Sequence, residues 1–252
     1  MTRFSTALPK QSQAAQDDAV DITSSTAFVT GANRGLGRRF ALDLIRRGAR
    51  VYAGARDPGT IDVEGAIPVA IDITDPDSVA AAAATAGDVT LLVNNAGIST
   101  GANLLTGDLA DVHREFDTNV FGTLSVVRAF APVIERNGGG AILNVLSVLS
   151  WLSMPMAGAY CAAKSAAWSM TNELRLDLVD KGIGVVALHV GPMDTDMMSG
   201  SDVPKSDPAA VAAMALDGVA SGAFEVLADD VSRMVQVGLA KGVAGVYPQL
   251  AT

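Results

Sequence analysis

Thr26-Ala27-Phe28-Val29-Thr30-Gly31-Ala32-Asn33-Arg34-Gly35-Leu36-Gly37 is a short apolar run that breaks into glycines just before a helical pattern begins. Ala27–Thr30 reads as a strand. Arg38–Arg47 reads as a helix, with Phe40, Ala41, Leu44 and Ile45 at helical spacing and Gly48 as its C-cap. Glycines between a strand and a helix permit a tight turn. They also let a pyrophosphate approach the helix start, where free N–H groups and the helix dipole favour anions. The spacing is G-x-x-x-G-x-G, not the G-x-G-x-x-G of the usual dinucleotide fingerprint.

The same alternation continues along the chain. Strand-like runs recur at Arg50–Ala55, Ile67–Ile71, Val89–Asn94, Ala141–Ser147, Gly184–Val190 and Phe224–Leu227. Helical patterns lie between them at Pro76–Ala86, Leu109–Arg136, Ala159–Lys181 and Pro208–Ser221. Strands apolar on both faces and alternating with helices predict a mostly parallel seven-stranded sheet covered on both sides. The fold class is therefore α/β, one doubly wound domain over 25–252. Residues 1–24, rich in Ser, Thr, Gln and Ala, are expected to be a flexible N-terminal extension.

Composition narrows the function. The chain has 252 residues, 49% of them hydrophobic and 18% charged, which suffices for a large core. A net charge of −9 argues against nucleic acid or an anionic membrane surface as partner. Neither a signal peptide nor an apolar stretch of membrane-spanning length is apparent. The single cysteine, Cys161, excludes an internal disulfide framework and points to a reducing cytoplasm. Beside Tyr160 it reads as a small helix-face residue.

The second strand ends at Ala55, and Arg56 follows. An acidic residue there would bind a ribose 2′-hydroxyl, whereas an arginine accepts a 2′-phosphate. Arg34 inside the glycine loop and Arg56 together favour NADP(H) over NAD(H). Asp57 is the contrary sign, but before Pro58 it reads as a turn residue.

Tyr160-Cys161-Ala162-Ala163-Lys164 places a phenol and an ammonium on one helix face. The ammonium is expected to lower the phenol's pKa, so that Tyr160 exchanges a proton with an alcohol or carbonyl oxygen near neutral pH.

These motifs, taken in order, resemble the short-chain dehydrogenase/reductase family, and the resemblance runs from about Thr26 to Val226. It implies a Rossmann-type domain in which Gly31, Asn33, Arg34, Gly35, Leu36 and Gly37 hold the cofactor's phosphates. Asp72 and Ile73 match the adenine contact, and Asn95, Ala96 and Gly97 match the segment supporting the sheet beside the cofactor. Pro192 and Thr195, in Gly191-Pro192-Met193-Asp194-Thr195, match the nicotinamide contact with the first two residues in reversed order. Asn119, Ser147, Tyr160 and Lys164 match the catalytic positions. By that resemblance Ser147 binds the substrate oxygen, Tyr160 transfers the proton, Lys164 holds the nicotinamide ribose, and Asn119 joins a water-linked proton relay. The family also implies a homodimer or homotetramer paired through the two long helices.

Other residues invite plainer readings. His113 reads as a solvated helix residue, His189 as a satisfied strand-end histidine, and Asp194 and Asp196 as solvated loop acids. No metal-ligand spacing occurs, so no metal is expected. Trp151 and Met154 are expected to wall a substrate pocket, with Met193 and Met197 in a lid over it, although ordinary loop packing explains them equally. The expected activity is reduction of a small or medium apolar ketone or aldehyde by NADPH. An NAD-linked alcohol or steroid dehydrogenase and a non-catalytic NADP(H)-sensing regulator are the alternatives.

Overall fold

The computed structural model describes residues 20–250. The expected extension lies outside the described residues up to residue 19, but its last part is packed. Asp21 accepts the N–H of Thr23 at 2.9 Å, capping a turn over Ile22–Ser24, and Ile22 is buried in the core.

Seven strands form one sheet: β1 (Thr26–Thr30), β2 (Arg50–Ala55), β3 (Ile67–Ala70), β4 (Leu91–Asn94), β5 (Gly140–Val145), β6 (Ile183–His189) and β7 (Glu225–Leu227). Their spatial order is β3-β2-β1-β4-β5-β6-β7, and every pairing is parallel. Each parallel neighbour needs a crossover, and the crossovers cover both faces. Alternation along β1 shows the two layers. Ala27 and Val29 join a cluster with Phe40 and Leu44 of α1 (Gly35–Arg46) and Leu216 of α6 (Pro208–Ala220). Phe28 joins the opposite cluster, with Val79 of α2 (Pro76–Thr85), Phe130 of α4 (Thr123–Arg136) and Leu174 of α5 (Gly158–Leu178).

Aspartates start several helices. Asp75, Asp108 and Asp207 accept N–H groups in the first turns of α2, α3 (Leu109–Phe116) and α6, and Pro76 and Pro208 supply first helical positions that need no donor.

The arrangement of helices departs from the sequence reading in two places. The helix expected over Leu109–Arg136 is divided into α3 and α4 by a π-helical segment, Asp117–Gly122. Apolar periodicity continues through the wide turn, which hides it. Thr123 Oγ1 donates to the Asn119 carbonyl at 3.1 Å, a side-chain bond of the kind that bends helices. Beyond β7, α7 (Asp230–Leu239) and a short α8 (Val243–Val246) were not anticipated. Asp229 caps α7 through the Ser232 N–H at 2.7 Å, while Met234 and Val237 on its outer face stay exposed and blur the amphipathic pattern.

The chain passes from β3, on one side of β1, to β4 on the other. The crevice of such a sheet opens at that reversal, beyond the carboxyl ends of β1 and β4.

Candidate active site

The glycine loop closes on itself at that crevice. A Cβ on Gly37 would lie 2.1 Å from the Gly31 carbonyl oxygen and 2.4 Å from Asn95 Nδ2, so only glycine lets α1 start this close to the loop. Arg34 precedes α1 in extended conformation and gives no side-chain cap. The first N–H groups of the helix therefore remain available to an anion. Asn95 braces the loop from the end of β4. Its Nδ2 donates to the carbonyls of Thr30 at 2.9 Å and Gly31 at 3.2 Å, and the N–H groups of Asn95 and Ala96 donate to Thr30 Oγ1. A Cβ on Gly97 would meet Asn119 Oδ1 at 2.7 Å, so this segment also abuts the catalytic candidates.

The remaining expected cofactor residues differ in burial. Leu36 and Ile73 are buried, while Asn33 and Pro192 are half-buried. Thr195 faces Gly35, where a Cβ would stand 3.5 Å from Thr195 Cγ2. Asp72 accepts from Thr74 Oγ1 at 2.7 Å and Thr74 N at 2.9 Å, and these bonds hold its carboxyl below the usual range. Arg34 and Arg56 are exposed. Arg34 pairs with Asp196 at 3.3 Å, and both side chains stay largely exposed. A narrow glycine-lined turn, uncapped helix start and adjacent guanidiniums fit a phosphorylated dinucleotide.

Asn119, Ser147, Tyr160 and Lys164 converge beside it. Ser147 follows β5, and its hydroxyl accepts the Leu149 N–H at 3.1 Å and donates to the Val190 carbonyl at 3.4 Å. Lys164 is buried, and its Nζ donates to the Val145 carbonyl at 2.8 Å and stands 5.6 Å from the Tyr160 ring centroid. Burial lowers the Lys164 pKa to about 8, against a smaller opposing pull from Glu115. The Tyr160 phenol is pushed up, first by burial and then by the charge of Glu115, with Ser147 acting weakly the other way. The ring keeps partial solvent contact. The expected lowering of this pKa is thus corrected: burial of the phenol and the charge of Glu115 outweigh any pull from Lys164 and raise it.

The family model for short chain dehydrogenases matches residues 25–205. The chain belongs to the short-chain dehydrogenase family. Among its relatives, the sorbitol dehydrogenase of Cereibacter sphaeroides is 33% identical over 197 residues, covering 74% of this chain and 77% of the relative. The uncharacterized oxidoreductase YbbO of Escherichia coli K12 is 32% identical, with coverage of 74% and 72%. A short-chain dehydrogenase from Burkholderia cenocepacia J2315, solved with NADP, superposes with a TM-score of 0.88 at 37% identity over 92% of this chain and 100% of its own. One from Burkholderia phymatum, solved with NAD, gives 0.77 at 25% identity over 88% and 96%.

Within this short-chain dehydrogenase the residues expected to wall and cover a substrate pocket differ in exposure. Trp151 does not line an open wall. It is 8% exposed, stacks on His189 with centroids 3.7 Å apart, and meets Trp168 edge-on at 5.9 Å. The unanticipated α7 supplies Val235 to this cluster. His189 is not fully satisfied either. Its Nδ1 lies 3.3 Å from the Ser147 carbonyl, but Nε2 is 3.8 Å from Glu225 Oε1, too long for a hydrogen bond. Met154 and Met197 are about half exposed, and Met193 packs partly on the core. The loop beyond Met193 is pinned at its base, where Ser206 N donates to the Pro192 carbonyl at 2.9 Å and Asp194 N to the Ser206 carbonyl at 3.0 Å. Cys161 is buried and its thiol is pushed up by burial, which suits an inert packing residue. His113 is exposed.

Glu115 escaped the sequence reading. It is fully buried and contacts Asn119 and Thr100. The available signal was its place one helical turn before Asn119 and one after Val112 and Asp111. Among the described residues no three His, Cys, Asp or Glu side chains are grouped to hold a metal, and no helix is long and apolar enough to cross a membrane.

Proposed function

We propose that the protein is an NADP(H)-dependent carbonyl reductase that converts a small or medium apolar ketone or aldehyde into its alcohol, reversibly. What carries the reading is the placement of Tyr160: a partly exposed phenol, protonated at neutral pH, beside Ser147 and Lys164 at the edge of the dinucleotide crevice. A group that retains its proton at neutral pH is suited to giving it up only when a stronger base develops, as the oxygen of a reduced carbonyl does.

The glycine loop and α1 start would hold the pyrophosphate, Asp72 and Ile73 the adenine, Arg34 and Arg56 the 2′-phosphate, and Asn95–Gly97, Pro192 and Thr195 the nicotinamide end. Lys164 and Tyr160 would contact the adjoining ribose. When bound, the dinucleotide supplies the hydride. Ser147 Oγ turns from Val190 to donate to the carbonyl oxygen and polarise it. Tyr160 passes its phenolic proton to that oxygen, so the substrate gains one hydride and one proton. Lys164 stabilises the tyrosinate left behind, and Asn119 belongs to the path that returns a proton from solvent.

The exposed methionines 154, 156 and 197 at the rim suit an apolar substrate of adaptable shape. Exposed Leu109, Phe121 and Leu176 on the α3–α5 surface suit homodimer or homotetramer formation, and a cytoplasmic setting suits the buried free thiol. Oxidation of an alcohol with NAD is the second reading, favoured by the sorbitol dehydrogenase relative and the NAD-bound neighbour. The test is an aldehyde and ketone panel followed by NADPH absorbance, with NADH in parallel. Turnover with a clear NADPH preference is expected. Activity confined to NAD and alcohols would replace the first reading with the second.

A further inference from the structure

Glu115 is a carboxylate with no solvent exposure, in α3, one turn before Asn119. A buried charge persists only where it is bonded and paired. Each of its bonds goes to an element of the site. Oε1 accepts from Thr100 N at 2.5 Å and Thr100 Oγ1 at 2.9 Å, in the loop that continues from Asn95–Gly97. Oε2 accepts from Asn119 Nδ2 at 3.0 Å. The Asn119 amide is fixed in this orientation, because its Oδ1 accepts from Ile98 N at 3.2 Å and its Nδ2 also donates to the Ile98 carbonyl at 2.9 Å.

From α5, the titratable groups facing Glu115 are Tyr160, Cys161 and Lys164, of which Lys164 is the cation. The loop presents the Thr100 hydroxyl and N–H. On its own helix, Asp111 and Arg114 pair with each other at 2.7 Å toward solvent.

We propose that Glu115 is a positioning residue of the reaction: it locks Asn119 and the Thr100 loop into one unit and holds a negative charge opposing Lys164 at Tyr160. The proposal rests on the reductase reading for its consequence in turnover. Lys164 alone favours the tyrosinate, which is the wrong form for donating a proton to a carbonyl. Glu115 opposes that bias and leaves Lys164 to act once negative charge develops on Tyr160. No packing role alone requires an acid here, since an apolar side chain would fill the same interior without the desolvation.

The test is Glu115→Gln, which keeps the volume, removes the charge and turns an amide N–H₂ toward Asn119 or Thr100. In NADPH-dependent carbonyl reduction, kcat at pH 7 is expected to fall about tenfold, as for loss of one charged hydrogen bond, and the alkaline limb of its pH profile to move to lower pH. NADPH affinity, read by fluorescence, should stay within about twofold, because no cofactor residue is altered.

A second readout does not need turnover. Tyrosinate absorbance, taken as the difference between Glu115→Gln and Glu115→Gln/Tyr160→Phe, should appear at lower pH than the corresponding difference with Glu115 present. An unchanged or higher onset overturns the proposal, as does a kcat profile identical to the parent's. Should the parent protein fail to reduce any carbonyl with NADPH, the reductase reading falls, while the tyrosinate titration still decides the charge role of Glu115. Thr100→Val, at a half-buried loop position, removes one of the donors and covers the case in which Glu115→Gln does not fold. It should lower kcat severalfold with NADPH affinity unchanged, and an unaltered kcat contradicts the lock.

Discussion

Lys164 Nζ is bonded to the Val145 carbonyl at 2.8 Å and lies 5.6 Å from the centre of the Tyr160 ring. Lys164 is therefore anchored to the end of β5 as well as carried on α5, and its ammonium stands off the Tyr160 ring with no direct bond between them.

Burial of this amine makes stability depend on pH. Lys164 has a folded pKa of about 8 against an ordinary 10.5, so above pH 8 the unfolded chain holds the proton more tightly than the folded one. Stability then rises with pH from 8 toward 10, by about 2 kcal/mol. Above pH 10 the raised phenol of Tyr160 works the other way, since the unfolded chain loses that proton first. Thermal melts without added nucleotide should show wild type gaining roughly 5 °C on Lys164→Met between pH 8 and 10. A constant difference would mean that Lys164 is not perturbed.

The two arginines test cofactor choice. Arg34→Ala or Arg56→Ala should raise KM for NADPH about 10–100-fold each, the loss of a charge-assisted contact, and leave KM for NADH nearly unchanged. Equal effects on both cofactors would place neither arginine at the 2′-phosphate.

Asp196 competes for one of them. The Arg34–Asp196 pair is largely exposed on both sides, and such pairs contribute little. Asp196→Asn should lower KM for NADPH by less than about fivefold, within the range of a surface ion pair. An increase in KM would show that Asp196 positions Arg34 for the phosphate.

Gly37 offers a stability test of the loop. With a Cβ 2.1 Å from the Gly31 carbonyl, Gly37→Ala must displace α1 or the loop. A loss of about 3 kcal/mol or more is expected in chemical denaturation, together with loss of nucleotide binding. A stable variant that still binds NADPH would show that the turn has room.

Much of this architecture was legible from short-range patterns. The strand at Ala27–Thr30, the glycine turn and the helix after it follow from local spacing, and so do the order and type of the other strands. Asn119, Ser147, Tyr160 and Lys164 were recognisable by motif, and the fold brings them to one end of the sheet. What stayed hidden depends on three-dimensional neighbours. The π-helical turn at Asp117–Gly122 leaves apolar periodicity intact. The role of Trp151 depends on Val235 from a helix whose outer face is itself apolar. The Tyr160 shift comes first from burial and then from Glu115, which lies far from Tyr160 in sequence and looks like an ordinary helix-surface acid until α5 is packed against it.

Turnover by Tyr160→Phe tests the central claim most directly. With NADPH and a ketone or aldehyde that the parent protein reduces, the variant should lose about 1,000-fold or more in kcat, as expected when the proton donor is removed. NADPH binding should persist within a few-fold. Retention of more than a few per cent of the activity would contradict Tyr160 as the group that delivers the proton.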